Sequence, residues 1–110
     1  MTIAASIALA LLFLAAAAGK LTGKTQDMGD HLGIPVQRWR VIGVLELAGA
    51  VGVLVGLAVD ELGLAAGAGL VLTSVGAMAT HAKAGDPPKA LVPAAIGLVL
   101  SSAVVALQAT

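Results

Sequence analysis

Two ionisable residues, Glu46 and His81, interrupt or end long apolar runs and are the strongest candidates for chemistry in this sequence. Glu46 is the one charged residue between Val41 and Val59. A carboxylate in apolar surroundings costs several kcal/mol unless it is paired, hydrogen-bonded or protonated, so such acids are functional candidates by default. Histidine is the side-chain type that exchanges protons near neutral pH. We therefore predict that Glu46 and His81 form a catalytic site that exchanges protons or holds a polar ligand.

Lys20 and Asp86 are predicted to complete this site as ligand-binding residues. Lys20 ends the first apolar run, His81 ends the third, and Asp86 lies in the link that follows. We expect these side chains to converge at one level, where Lys20 holds an anion. Two structural interpretations stay open. In the first, Lys20 and Glu46 form an ion pair that sets the helix register. In the second, Lys20 extends its ammonium group to the membrane surface.

The composition of the chain indicates a single membrane domain, residues 1–110. The hydrophobic share is 59% and the charged share 11%, whereas a typical soluble domain is about 25% charged. Mean hydropathy is +1.04. Six Lys and Arg balance six Asp and Glu, which excludes the basic face that nucleic acid requires. With no Cys and two His, no metal site is predicted.

Four apolar runs predict an all-α, four-transmembrane-helix antiparallel bundle. The runs are Ile3–Gly19, Val41–Val59, Leu62–Thr80 and Ala90–Ala109. With their flanking residues the predicted spans cover about 3–20, 36–59, 62–82 and 88–109. Each run is close to the ~20 residues that cross a hydrocarbon core. No Lys or Arg precedes the first run, which favours a retained span over a cleaved signal peptide.

The link between the first two runs is predicted to hold a short interfacial helix. Thr25 is a suitable N-cap for a helix through His31, and Gly33 is a suitable end. Pro35 is expected to open the next helix. An ordinary polar connector is the alternative, in which His31 is a surface residue and Asp30 is a further candidate for the polar site.

The other links predict tight connections between the runs. Asp60 and Glu61 form the whole link between the second and third runs. In the third link, Gly85 is expected to end a helix, Asp86 to cap the next one and Pro87 to take its first position.

The cations define an orientation, because all six lie in the first and third links. The positive-inside rule places those links in the cytoplasm and both termini outside a bacterial inner membrane. Trp39, between Arg38 and Arg40, is expected at the membrane–water interface.

Small residues are expected to mediate helix packing, because close approach stabilises helix pairs in lipid. A helical wheel of the second run separates Gly49, Gly52 and Gly56 from a bulky stripe. The glycines are predicted to face other helices. The bulky stripe, predicted to face lipid, consists of Val44, Leu47, Val51, Leu54 and Val55.

The sequence resembles the DoxX-like family of small four-helix membrane proteins in four stretches that keep the family's order. They are AGKLTG at 18–23, HLGIP at 31–35, GVLELAGAVG at 43–52 and HAKAGD at 81–86. The resemblance runs along nearly the whole chain. The candidate residues that it carries over are Lys20, Glu46, His81 and Asp86.

The resemblance implies a subunit associated with membrane oxidoreductase chemistry, since the family takes its name from a subunit of a thiosulfate:quinone oxidoreductase. A quinone head group is the implied ligand, and an oxidoreductase subunit, soluble or membrane-bound, is the implied partner. Haem is disfavoured because it needs two axial His and His31 lies in a link. A non-enzymatic anchor or assembly protein and a small oligomeric transporter are the alternatives, and whether the chain is itself an enzyme stays open.

Overall fold

The computed structural model describes all 110 residues, and all of its regular structure is helical. The α-helices are α1 (Thr2–Thr22), α2 (Gln26–His31), α3 (Val36–Val55), α4 (Asp60–Lys83) and α5 (Val92–Ala109). A 3-10 helix over Pro88–Leu91 leads into α5. The predicted all-α class is therefore confirmed.

Three helical segments are long and apolar enough to cross a membrane. They are α1, α4 and the continuous segment Pro88–Ala109. The fourth long helix, α3, carries Arg38, Arg40 and Glu46, with Glu46 near its middle. The charged residues of α4, in contrast, lie at its two ends. Membrane-helix character is thus established, whereas the crossing of α3 stays a prediction.

The four long helices surround one core in the order α1, α3, α4, α5, because α1 packs on α3 and α5, and α4 packs on the same two helices. The core consists of Leu9, Ala10, Phe13, Ala50, Val53, Leu70 and Val104. All five members of the predicted bulky stripe of α3 are exposed on the outside of the bundle, as the wheel predicts.

Glycine allows α3 and α4 to meet closely near the turn that joins them. A Cβ on Gly56 would collide with the Gly63 backbone, and one on Gly52 would lie 2.7 Å from the Ala66 Cβ. Further along, Gly49 lies against the Leu70 side chain. The predicted helix-facing role of the α3 glycines is confirmed.

The boundaries between the helices differ from the predictions at two links. The helix α3 ends at Val55, and Asp60 and Glu61 belong to the first turn of α4. Acidic side chains are stabilised by the partial positive charge at a helix N-terminus, so the turn forms over 56–59 instead. In the third link Gly85 ends α4 with φ 77° as expected, but Pro88, not Pro87, begins the 3-10 helix.

The short helix α2 packs against α3 through Trp39, so the indole that is predicted to lie at the membrane–water interface is covered by protein. Trp39 is 4% exposed, and its Nε1–H donates to Thr25 Oγ1 at 3.2 Å. Gly29 of α2 lies flat on the ring, where a Cβ would be 2.9 Å from Trp39 Cδ2. The indole is therefore held inside the protein by α2, and Thr25 precedes α2 without making a side-chain cap.

Candidate functional site

A buried ion pair between α1 and α3 forms the first part of the site. Lys20 Nζ lies 2.8 Å from Glu46 Oε1, and the two side chains are 14% and 5% exposed. Gly43 allows this approach, because a Cβ there would lie 2.9 Å from the Lys20 Cβ. The predicted inward orientation of Glu46 is confirmed.

The Lys20–Glu46 pair carries no net charge, and no other charged group contacts it. Lys20 Nζ lies 4.7 Å from the centroid of the Trp39 ring, within the ~6 Å reach of a cation–π contact. No donor other than Lys20 reaches Glu46 Oε1. Since each charge balances the other, Lys20 does not present a free positive charge to a ligand.

A second polar cluster joins α2, α4 and the link before α5. Asp86 accepts hydrogen bonds from His81 Nδ1–H at 2.7 Å and from His31 Nε2–H at 2.5 Å. These bonds, first that from His81 and then that from His31, hold the pKa of Asp86 below its ordinary value of 3.8. The predicted capping role of Asp86 is therefore wrong, because both carboxylate oxygens bind imidazole rings.

An internal cavity connects the ion pair to the His81–Asp86 cluster. Its volume is about 480 Å³, within the range of about 300–1,000 Å³ of small-molecule sites. All five helices contribute to its wall, which is largely apolar. Its polar lining consists of Lys20, Thr25, Glu46, Thr73, Ser74, Thr80 and His81, together with the indole of Trp39.

Ser74 lies in the wall of this cavity and has a buried hydroxyl without a hydrogen-bond partner. The residue is 1% exposed. Buried hydroxyls in proteins are normally paired, since an unpaired one costs about 1–3 kcal/mol. A Cβ on Gly97 would lie 2.9 Å from the Ser74 Oγ, so this hydroxyl belongs to the packing between α4 and α5.

The structure brings the predicted site residues together only in part. Lys20, Glu46 and His81 line one cavity, and Asp86 joins them through His81. Asp30 does not join, because it is exposed and accepts a hydrogen bond from Gln26 instead. The catalytic and ligand-binding roles of these residues stay predictions.

Three residues of the site were missed by sequence reasoning. His31 was expected to be a surface residue, and its ring is indeed 56% exposed, yet it binds Asp86. From the sequence, Ser74 is expected to be an ordinary packing residue, and Trp39 is expected to be an interfacial anchor. Thr25 marks the start of the short helix, but no spacing in the sequence indicates that this helix lies on the indole.

A second depression lies outside the bundle, between α2 and the last turn of α4. Its volume is about 560 Å³, and its wall includes His31, Thr80 and Lys83. It is shallow and open to solvent. The cavity inside the bundle, whose wall includes the buried Lys20–Glu46 pair, is therefore the stronger candidate site.

The fold and the cavity define an all-helical membrane protein with a polar pocket inside its bundle. The sequence model of the DoxX-like family matches residues 4–104. Because this match covers nearly the whole chain, the protein belongs to the DoxX-like family. Comparisons with curated proteins and with solved structures return no match.

Proposed function

We propose that this DoxX-like protein spans the bacterial inner membrane four times and binds the head group of a quinone or a similar small molecule in its internal cavity. In this role it is a membrane subunit of an oxidoreductase. The observation that carries the proposal is the cavity itself, where largely apolar walls surround Lys20, Glu46 and His81.

Glu46 and His81 are the groups that we propose to exchange protons with the ligand. Quinone reduction consumes protons, so a binding site for it needs titratable side chains beside the head group. His81 has a second ring nitrogen free, because Nδ1 is used by Asp86. Asp86 thereby orients the imidazole, and Lys20 balances the charge of Glu46.

Electron transfer requires a partner in this proposal. The chain has no Cys and no cluster of His, Asp and Glu that could hold a metal ion. The protein therefore supplies binding and proton exchange, while an oxidoreductase subunit, soluble or membrane-bound, supplies the electrons.

The alternatives make different demands on the bundle interior. A transporter needs a continuous polar path to the far face. Beyond the cavity the interior is filled by Leu9, Val53, Leu70 and Val104, all at most 1% exposed, which favours a site closed on that side. A pure anchor or assembly protein needs no cavity, and it predicts that nothing binds there.

Quenching of Trp39 fluorescence provides the test, because Trp39 is the only tryptophan and lines the cavity. Menadione, a quinone without a tail, is titrated into the purified protein in lipid nanodiscs. We expect saturable quenching. Glu46→Gln should weaken binding by about tenfold, which corresponds to about 1.4 kcal/mol, while the variant stays folded.

Glu61→Gln is the matched control, because Glu61 is an exposed acid at the opposite end of α4. It should bind menadione as the wild type does. Absence of saturable quenching in the wild type would contradict the proposal and favour the anchor. If Glu46→Gln is less stable but binds menadione as the wild type does, the ion pair has a structural role and no role in binding.

A further inference from the structure

The close approaches that glycine allows between α3 and α4 lie near the turn that connects these helices. Near the connecting turn the two helices touch through Gly56 and Gly63, Gly52 and Ala66, and Gly49 and Leu70. Farther from the turn, residues of both helices line the cavity. These residues are Ile42, Leu45 and Glu46 on α3, and Thr73, Gly76, Ala77 and Thr80 on α4.

The cavity wall between these two helices is open toward the outside of the bundle. Leu45 lines the cavity and is nevertheless 60% exposed. Gly76 also lines the cavity, is exposed, and would have no heavy atom within 4 Å of an added Cβ. Both residues fall inside the predicted spans, so in the proposed four-span topology this opening faces hydrocarbon and not water.

The polar groups behind the opening favour a ligand without net charge. The ammonium of Lys20 is already neutralised by Glu46 at 2.8 Å, so an anion would find no free cation there. A carbonyl or hydroxyl group approaches this neutral pair without the cost of burying a further charge.

We propose that the cavity takes an uncharged amphipathic ligand laterally from the bilayer, through a portal between α3 and α4 bordered by Leu45 and Gly76. The carbonyl or hydroxyl head reaches the Lys20–Glu46 pair, and the apolar tail stays in the portal. This inference rests on the proposed binding function and adds the ligand class and its route. Since the tail never leaves apolar surroundings, no hydrophobic surface is transferred to water.

Gly76→Leu tests the portal, because it places a bulky side chain at the opening from a position where the added Cβ meets no heavy atom within 4 Å. Gly69→Leu is the matched control. Gly69 lies on the same helix and also has nothing within 4 Å of an added Cβ, but it does not line the cavity. The probes are menadione and menaquinone-4, which share a naphthoquinone ring and differ in the isoprenoid tail.

Gly76→Leu should weaken menaquinone-4 binding by about tenfold or more, equivalent to about 1.4 kcal/mol, and affect menadione far less. Gly69→Leu should bind both probes as the wild type does, and thermal unfolding should show both variants folded. Equal binding of menaquinone-4 by Gly76→Leu and wild type would overturn the portal. Equal loss of both probes would also overturn it, because the head site itself is then blocked. If the wild type binds neither probe, the result contradicts the proposed binding function itself and not only the portal.

Discussion

Lys20 Nζ and Glu46 Oε1 lie 2.8 Å apart inside the protein, where they join the end of α1 to the middle of α3. Gly43 creates the space for this pair, one turn before Glu46 on the same helix. A buried ion pair adds little net stability compared with apolar residues, but loss of one partner leaves a charge without compensation. The two residues should therefore contribute unequally when they are removed singly.

Lys20→Met should be the more damaging single change. It leaves the Glu46 carboxylate, 5% exposed, with no donor at Oε1. Removal of one partner from a buried pair costs about 3–5 kcal/mol. Reversible unfolding in mixed micelles measures this loss of folding free energy.

Glu46→Gln should cost less, about 1.5 kcal/mol, because a hydrogen bond to a charged group is lost while Lys20 can move its charge toward the helix end. The double variant with Lys20→Met should recover part of the stability lost in Lys20→Met alone. Strict additivity of the two single changes would contradict a direct interaction.

The crossing of α3 and α4 predicts unequal effects for two glycine substitutions. Gly56→Ala brings a methyl group onto the Gly63 backbone, which cannot move aside without shifting a helix. Gly49→Ala meets Leu70 Cδ2, at the end of a flexible side chain, at 2.6 Å. Overpacking typically costs about 1–3 kcal/mol, and we expect Gly56→Ala to exceed that range and Gly49→Ala to fall within it.

Thermal unfolding of the two variants side by side measures this difference, with Gly69→Ala as a control that meets no atom within 4 Å. Gly69→Ala should be neutral or slightly stabilising, because alanine favours helix over glycine by about 0.5–1 kcal/mol. Comparable losses in Gly49→Ala and Gly56→Ala would mean that the helices adjust their crossing freely.

Gly29→Ala should detach α2 from α3, because the new methyl group would lie 2.9 Å from Trp39 Cδ2. The ring is held by Thr25 and buried beneath α2, so it has little freedom to retreat. Trp39 is the sole tryptophan, and its fluorescence emission should shift to longer wavelength as water reaches the indole. An unshifted emission spectrum would contradict the packing of α2 on this ring.

The helices and their lipid-facing and helix-facing sides are predictable from the sequence because hydrophobic periodicity and small residues act locally along each helix. The position of Pro35 before α3 and of Gly85 after α4 also follows from local backbone preferences. The Glu46 side chain was predicted to face inward because its position on the wheel lies away from the bulky stripe of α3.

The second polar cluster was not predictable, because it depends on how the links fold back onto the bundle. The Asp86 carboxylate could cap the next helix or accept hydrogen bonds from the distant His31 and His81. It makes the distant hydrogen bonds, because two imidazole N–H groups occupy both of its oxygens. The cavity likewise depends on how five helices meet around it, which no local pattern encodes.

Low pH should remove the folding free energy that the hydrogen bonds of the Asp86 carboxylate contribute. The pKa of Asp86 is lowered from 3.8 in the folded protein, so its carboxylate stabilises the fold fully at pH values above 3.8. That contribution is lost as the pH falls through the lower folded-state pKa. Asp86→Asn should therefore be less stable than the wild type at neutral pH and equally stable in strong acid.

Melting temperatures of the two proteins, followed from neutral pH into the acid range, provide the measurement, since other titrating groups are common to both. Asp30→Asn is the control, because Asp30 is exposed and accepts a bond only from Gln26. A wild-type advantage over Asp86→Asn that persists unchanged in strong acid would contradict the linkage.

The proposed topology is testable by cysteine labelling, since the chain has no Cys of its own. Lys24→Cys, Glu61→Cys and Thr110→Cys place single thiols at exposed positions in the first link, at the start of α4 and at the C-terminus. With four spans and cytoplasmic cations, a membrane-impermeant maleimide added to spheroplasts should label positions 61 and 110. Position 24 should react only after the membrane is disrupted.

The comparison of positions 24 and 61 decides whether α3 crosses the membrane, because α3 is the only long helix between them. Labelling of both from one side would mean that Arg38, Arg40 and Glu46 keep α3 out of the bilayer. Labelling of position 24 alone would instead indicate four spans in the opposite orientation. Since Glu46 pairs with Lys20 inside the bundle, the charge that α3 exposes to lipid is confined to its first turns, and we expect it to cross.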